Sequence, residues 1–140
     1  MSGPDLCHCF ALKRAARHTA RFYDRHLAAA GLKTSQFTLM GMVKRDPGIG
    51  IARLAVLMVM ERTTLLRALK PLQEAGWVES RRPSHGRAYE LILTDAGSAK
   101  LEEAEPLWLA AQAAFETSVG ASDAAGFRAA VLAMAFSGEG

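Results

Sequence analysis

The segment from Met60 to Leu72 constrains the fold of this chain most, because its side chains divide into two faces at helical spacing. Its apolar face carries three leucines: Leu65, Leu69 and Leu72. Its polar face carries a threonine and two cations: Thr63, Arg67 and Lys70. Residues three or four apart share a face of a helix. The segment therefore predicts a helix that buries one side in a core and offers a basic side to a polyanion.

A basic hairpin is predicted directly after this helix. The run from Trp77 to Leu93 contains two β-prone stretches around a short connection rich in Pro, Ser, His and Gly, which is typical of a hairpin. Its tip carries four basic side chains: Arg81, Arg82, His85 and Arg87. Upstream, Ile51 to Met58 forms a short apolar helix separated by a turn from the basic one. Helix, turn, basic helix and hairpin together predict a winged helix-turn-helix.

Two further helices are expected before this unit. Leu6 to about Ala30 has an apolar face at helical spacing, and Gly31 should end that helix. Thr34 or Ser35 can cap a second helix that runs to about Arg45. The short apolar segment from Ile49 to Ile51 is a candidate third strand for the wing.

Two helices are expected after the hairpin. Thr94 is a natural N-cap for a long helix with a coiled-coil-like seam, whose members are Leu101, Ala104, Trp108, Ala111 and Phe115. Gly120 to Ser122 should break it, and Asp123 to Phe136 should form a last helix. A chain of this size cannot easily cover apolar faces on its first, fifth and sixth helices. We therefore expect those helices to interleave with a second copy in a homodimer.

The predicted fold class is mainly α with a small β-hairpin wing (α+β), in a single domain over residues 1–140. About 34–93 would form the winged helix lobe, and about 5–30 and 95–137 a helical dimerisation region. With 140 residues, there is no room for a separate catalytic domain. No apolar run reaches the roughly 20 residues of a membrane span, and no signal peptide is recognisable, so a cytoplasmic protein is expected.

Charge is segregated along the chain. Residues 1–50 hold 8 Lys/Arg and 3 acids, residues 51–90 hold 7 and 4, and residues 91–140 hold 2 and 7. A protein that presents one basic face to DNA and keeps an acidic end elsewhere would show this distribution. A basic first helix packed beside an acidic last helix would show it as well.

Five motifs, in this order along the chain, resemble the MarR family of bacterial transcription regulators. They are S-Q-F-T-L at 35–39, the run 54–72, G-W-V-E at 76–79, Arg87 and L-T-D-A-G at 93–97. The resemblance covers almost the whole chain. It implies a homodimeric, sequence-specific DNA-binding regulator, with repression as the expected sign and a palindromic double-stranded operator as the partner.

In a winged helix-turn-helix, the recognition helix enters the major groove and its N-terminal residues reach the base edges. The candidates for base contact are Arg62, Thr63, Thr64 and Arg67, since Arg pairs bidentately with guanine and a Thr methyl fits thymine. Lys70 is expected on phosphate and Arg87 in the minor groove, where narrow A·T tracts strengthen the negative potential. The remaining hairpin cations, Arg81, Arg82 and His85, are assigned to the DNA backbone; solvated hairpin charges remain the alternative.

Four positions depart from the family pattern. Val59 stands where Gly is usual, Glu61 where Asp is commoner, and Leu66 where a small polar residue is usual. The wing also lacks the customary Asp before Arg87. Because Val disfavours a positive φ, the turn is expected to differ in shape.

Cys7, His8 and Cys9 raise the hypothesis of a thiol- or metal-responsive regulator, because two thiolates and an imidazole suit soft metals. If the helix has begun by Leu6, however, side chains two apart point to opposite faces. Cys9 is then expected as small core filler and Cys7 as semi-exposed. Oxidation or Cys7→Ser should change DNA affinity little, and no metal or other cofactor is expected.

The resemblance also implies a pocket for a small aromatic or phenolic effector between the dimerisation helices and the DNA-binding lobe. Candidate lining residues, by helix position, are Tyr23, His26, Met42, Arg45 and Trp108. Plain core packing is their alternative role. A winged-helix protein-interaction module remains a competing function. An enzyme is not expected, because outside the Cys-His-Cys trio no catalytic constellation or phosphate-cradling Gly loop stands out.

Overall fold

The computed structural model describes residues 3–86 and 88–135, with only the backbone of residues 121 and 122. Its helices are α1 His8–Leu27, α2 Thr34–Arg45, α3 Ile51–Met58, α4 Arg62–Glu74, α5 Asp95–Val119 and α6 Ala121–Leu132. Its strands are β1 Ile49–Gly50, β2 Val78–Arg81 and β3 Glu90–Leu93. No helix in these ranges is both long and apolar enough to cross a membrane.

The sheet is small and antiparallel, with the strand order β1-β3-β2. Val78 pairs with Leu93, and Ile49 pairs with Leu91. The predicted third strand is thus confirmed, although it is only two residues long. Its pairing ties the segment just before α3 to the inner strand of the wing.

One core joins the helix-turn-helix to the sheet and to the long helix. Nine large side chains in it are fully buried: Leu27, Leu39, Met40, Val43, Leu54, Leu65, Leu69, Leu72 and Leu91. They come from helices α1 to α4 and from β3. Leu101 and Ala104 of α5 belong to the same cluster. The winged helix and the first turns of α5 therefore share a core.

Four predicted helix boundaries were wrong. The helix expected from Leu6 begins at His8, after a 3-10 turn over Pro4–Leu6, and ends at Leu27 before a second such turn. Gly31 then adopts φ 71°, as a helix-terminating glycine should. The last helix covers Ala121–Leu132 rather than 123–136, and residue 136 lies outside the described residues.

The start of α2 also differs from the prediction of a Thr34 or Ser35 cap. Lys33 is the N-cap residue, and its own backbone N–H donates to Gln36 Oε1 over 2.9 Å. The Thr34 N–H donates to Asp24 Oδ1 over 2.7 Å. A carboxylate from α1 thus accepts a hydrogen bond at the start of α2, where a hydroxyl was expected. A pattern of neighbouring residues does not predict this contact, because Asp24 lies ten residues away in the sequence.

The seam of α5 packs in part against other helices of the same chain. Trp108 stacks on Phe37 of α2 with ring centroids 5.8 Å apart, and Phe115 lies 6.3 Å from Tyr23 of α1. The apolar side chains left uncovered lie mainly towards the chain ends. They include Leu6, Phe10, Leu12, Phe127, Leu132 and Met134.

The L-T-D-A-G motif fixes the joint between the wing and α5. Thr94 Oγ1 accepts from the Gly97 N–H over 3.0 Å, which is the predicted N-cap, and donates to the Gly76 carbonyl over 2.6 Å. A Cβ at Gly97 would overlap the Trp77 carbonyl oxygen and crowd Leu93. Only glycine therefore lets the first turn of α5 lie against the start of β2.

We predict that Gly97→Ala lowers the free energy of unfolding by about 2 to 3 kcal/mol, because the obstructing atom belongs to the backbone and cannot rotate away. Gly41→Ala is the control. Gly41 lies inside α2, and a Cβ there meets nothing within 4 Å. The free energy of unfolding of that variant should therefore rise by about 0.5 to 1 kcal/mol. Urea titration followed by circular dichroism measures both. Equal effects of the two substitutions would show that the joint does not require glycine.

Candidate nucleic-acid interface

Helix α4 has the two faces that the sequence predicts. Leu65, Leu69 and Leu72 have no exposed surface. The exposed side carries five polar or charged side chains, namely Arg62, Thr63, Thr64, Arg67 and Lys70, together with the partly exposed Leu66. Burial of the leucines sets the rotation of the helix about its axis, so these five side chains must point to solvent.

The cationic side chains of α4 form only weak ion pairs within the described part of the chain. Lys70 Nζ lies 3.9 Å from Glu74 Oε1, and both side chains are largely exposed. Such a surface pair contributes little energy in water. The basic face is therefore open to an anionic partner at little cost in lost internal contacts.

The turn before α4 keeps a left-handed residue despite its valine. Val59 has φ 52° and ψ 49°, and its N–H and that of Met60 close the end of α3 on carbonyls of Val56 and Ala55. The expectation of an altered turn shape was wrong. The backbone bonds that terminate α3 hold Val59 in a conformation that a branched side chain disfavours.

We predict that Val59→Gly raises the free energy of unfolding by about 1 kcal/mol, because glycine adopts this conformation without the Cβ clash and Val59 is 88% exposed. Val56→Gly is the matched control, since Val56 is also exposed but lies inside α3. Its free energy of unfolding should fall by about 0.5 kcal/mol. Thermal unfolding compares the two; a loss of stability in Val59→Gly would show that the turn is not strained.

The wing places further basic side chains beyond the end of α4. Arg81 lies opposite Glu90 in the register of β2 and β3. The Arg82 guanidinium lies 5.5 Å from the centre of the Tyr89 ring, a cation–π contact on an exposed tyrosine. Arg81, Arg82 and His85 are all exposed. Arg87, the predicted minor-groove residue, lies outside the described residues.

Three contributors to this surface were not singled out from the sequence. Gln73 Nε2 donates to Ser80 Oγ over 2.9 Å and so joins α4 to β2. Tyr89 is the ring against which Arg82 lies. Arg53, exposed on α3, lies 3.4 Å from Asp46. The first two depend on contacts between segments distant in sequence, and the third is a single exposed charge. A local sequence pattern predicts neither.

The five candidate effector residues do not surround one cavity. Tyr23 lines a groove of about 480 Å³ between α1, α5 and α6. His26 Nδ1 lies 3.0 Å from the Phe22 carbonyl oxygen. Arg45 donates to the Met42 sulfur over 3.2 Å, and Trp108 stacks on Phe37. Of the five, only Tyr23 belongs to the groove.

Polar groups lie among the apolar walls of this groove. Its lining includes Gln112, Glu116 and Arg128 beside aromatic and aliphatic side chains. The Tyr23 hydroxyl donates to Gln112 Oε1. Burial, together with the negative charge of Glu116, raises the pKa of Tyr23, and Arg128 partly offsets this. The phenol therefore stays protonated and remains a donor at neutral pH.

The exposure of Cys9 differs from the expectation drawn from the sequence. Cys7 has extended backbone angles as the N-cap of α1, and Cys9 is in the first turn. Both are exposed free thiols, so the expectation of Cys9 as core filler was wrong. The helix begins two residues later than assumed, so Cys7 lies outside it, whereas Cys9 is still held in its first turn. Within residues 3–86 and 88–135, no cluster of three or more His, Cys, Asp or Glu side chains is arranged to hold a metal.

Comparison with known families identifies the helix-turn-helix and wing. Residues 32–97 match the family described as "Winged helix DNA-binding domain". No protein with a curated description is detectably similar in sequence.

Solved structures share this fold over nearly the whole chain. The Mycobacterium tuberculosis transcriptional regulator MosR, in complex with DNA, is 33% identical with a TM-score of 0.74, covering 89% of this chain and 96% of that one. The MarR family protein Rv2887 from the same organism, in complex with salicylic acid, is 25% identical with a TM-score of 0.67 over 89% and 93%. CouR from Rhodococcus jostii RHA1, bound to p-coumaroyl-CoA, is 16% identical with a TM-score of 0.79 over 99% and 98%, which shows the fold alone.

Proposed function

Because this chain belongs to the MarR family of transcription regulators, we propose that it represses transcription as a homodimer on a palindromic operator. The observation that carries the proposal is the exposed basic face of α4 opposite three fully buried leucines. In a winged helix-turn-helix, that face lies in the major groove. Arg62, Thr63, Thr64 and Arg67 contact bases, and Lys70 contacts phosphate.

The wing supplies the second half of the interface. Arg81, Arg82 and His85 contact the DNA backbone, and Arg87 enters the minor groove. The Gln73–Ser80 hydrogen bond supports this assignment, because it couples the position of the wing to that of the recognition helix. Positioning contacts of this kind fix the register of the helix without reading sequence themselves.

The dimer forms through the ends of the chain. Large apolar side chains on α1 and α6 are exposed in the single protomer, with Leu132 at 78% and Phe127 at 58%. A second copy would bury them. Sedimentation velocity at micromolar concentration tests this, and a monomer would contradict it.

We predict that Arg67→Ala weakens binding to the DNA upstream of the chain's own gene about tenfold or more, since a bidentate Arg–guanine contact discriminates by about 1 to 3 kcal/mol. Arg21→Ala, which removes an exposed cation from α1, should change affinity much less. Fluorescence anisotropy at several salt concentrations, with a scrambled duplex for comparison, separates specific from non-specific binding. Equal and weak binding to both duplexes by all three proteins would contradict the proposal.

An aromatic anion is the proposed effector, and the groove between α1, α5 and α6 is its proposed site. Phe115 supplies an aromatic wall and Arg128 supplies a cation for a carboxylate, and the second copy that covers Phe127 and Leu132 of the same lining would complete the wall of the groove. The Tyr23 hydroxyl would have to turn from Gln112 Oε1 to donate to the ligand. Such a ligand would lower DNA affinity only if it binds better when the two recognition helices are spaced wrongly for the operator.

We predict that millimolar salicylate lowers the affinity of the protein for its operator, and that Arg128→Gln abolishes this response while leaving DNA binding without ligand unchanged. Benzyl alcohol, which has the ring but no charge, is the control and should have little effect. Anisotropy in the presence of each compound measures the response. An unchanged affinity with salicylate, or a full response in Arg128→Gln, would show that this groove does not hold such an effector.

Thiol sensing is a second candidate, favoured by the exposure of both cysteines and by the extended backbone of Cys7. Oxidation of the two thiols by a peroxide would form a Cys7–Cys9 disulfide and reduce the peroxide to water, and the first turn of α1 would have to unwind. This function requires a loss of DNA binding on mild oxidation that Cys7→Ser prevents. Unchanged affinity on oxidation would leave both cysteines without a regulatory role.

A further inference from the structure

A leucine lies on the face of α4 that carries the cations. Leu66 is 42% exposed, whereas its neighbour Leu65 has no exposed surface. Helical spacing places Leu66 one turn from Arg62 and Thr63 on one side and one turn from Lys70 on the other. It is the one large apolar side chain of α4 that remains exposed.

The chemistry of the major groove restricts what such a side chain can contact. Base edges there present hydrogen-bond donors and acceptors, and the one apolar group among them is the C5-methyl of thymine. A leucine pressed against a donor or acceptor would strip it of water and give no hydrogen bond in return. Against a thymine methyl, both partners lose apolar surface to water.

We propose that Leu66 is a specificity-determining residue that packs against a thymine methyl in each half-site and so selects A·T pairs opposite the middle of α4. This inference rests on the proposed function, because it assumes that α4 lies in the major groove. The flanking cations support DNA as the occupant of this face. Arg62 and Lys70, one turn away on either side, would be drawn to phosphates and base acceptors, whereas an apolar protein partner would have to desolvate them.

The experiment uses the full-length protein and a duplex enriched by it from a random DNA library. Each thymine is replaced in turn by deoxyuridine, which removes only the C5-methyl and keeps every hydrogen-bonding group. Wild-type protein should lose about fourfold in affinity at one or two thymines in each half-site, as expected for burial of one methyl group. Leu66→Ala should bind the unmodified duplex more weakly and lose less than twofold at the same positions.

Leu57→Ala is the matched control, because Leu57 is also 42% exposed but lies on α3. It should keep the deoxyuridine sensitivity of the wild type. Thermal unfolding of both variants checks that each is folded at the assay temperature. If Leu66→Ala fails to fold, Leu66→Met, which keeps an apolar side chain of similar volume, should retain the sensitivity, and Leu66→Gln should lose it.

Two results would overturn the inference while leaving the proposed function standing. One is wild-type binding that is indifferent to deoxyuridine at every position but still weakened by Arg67→Ala. The other is an unchanged deoxyuridine sensitivity in Leu66→Ala. If the library yields no preferred duplex, the proposed function itself fails and this inference fails with it.

Discussion

Burial of Leu65, Leu69 and Leu72 is the constraint on which the DNA-facing surface depends. Each of them has no exposed surface, and together they account for one complete stripe of α4. Fully burying a leucine side chain is worth roughly 1.5 to 3 kcal/mol, so turning the helix to hide its cations would cost several kcal/mol. The basic face is therefore exposed because the leucine face opposite it must stay buried in the core.

The wing and the dimerisation helices take their positions from a second constraint, at the joint around Thr94 and Gly97. Thr94 caps α5 and at the same time holds the Gly76 carbonyl. Lys100, one turn further on, donates to the Ala30 carbonyl, pairs with Glu103 and lies 5.5 Å from the Trp77 ring. These contacts attach the winged helix to the long helix, which is the connection through which any effector in the helical region would act.

The sequence predicted most of this arrangement where a pattern was local. The two faces of α4, the Thr94 cap, the third strand and the Gly31 stop all follow from spacing or from one residue's chemistry. Prediction from the sequence failed where contacts between distant segments determine the local structure. Asp24 replaces the expected hydroxyl at α2, and backbone bonds hold Val59 left-handed against its preference. Cys9, expected in the core, is exposed because no other segment packs over the first turn of α1 in the described part of the protomer. The effector candidates were chosen by helix position alone, which does not determine which side chains share a cavity.

The claim that the protein works as a symmetric pair of recognition helices has one direct test. Selection of bound duplexes from a random library, followed by sequencing, gives the preferred site directly from the binding of the protein itself. We expect an inverted repeat whose half-site centres are about one helical turn, or 10 to 10.5 base pairs, apart or a multiple of it. A single unrepeated site, a direct repeat or no enrichment would contradict the claim.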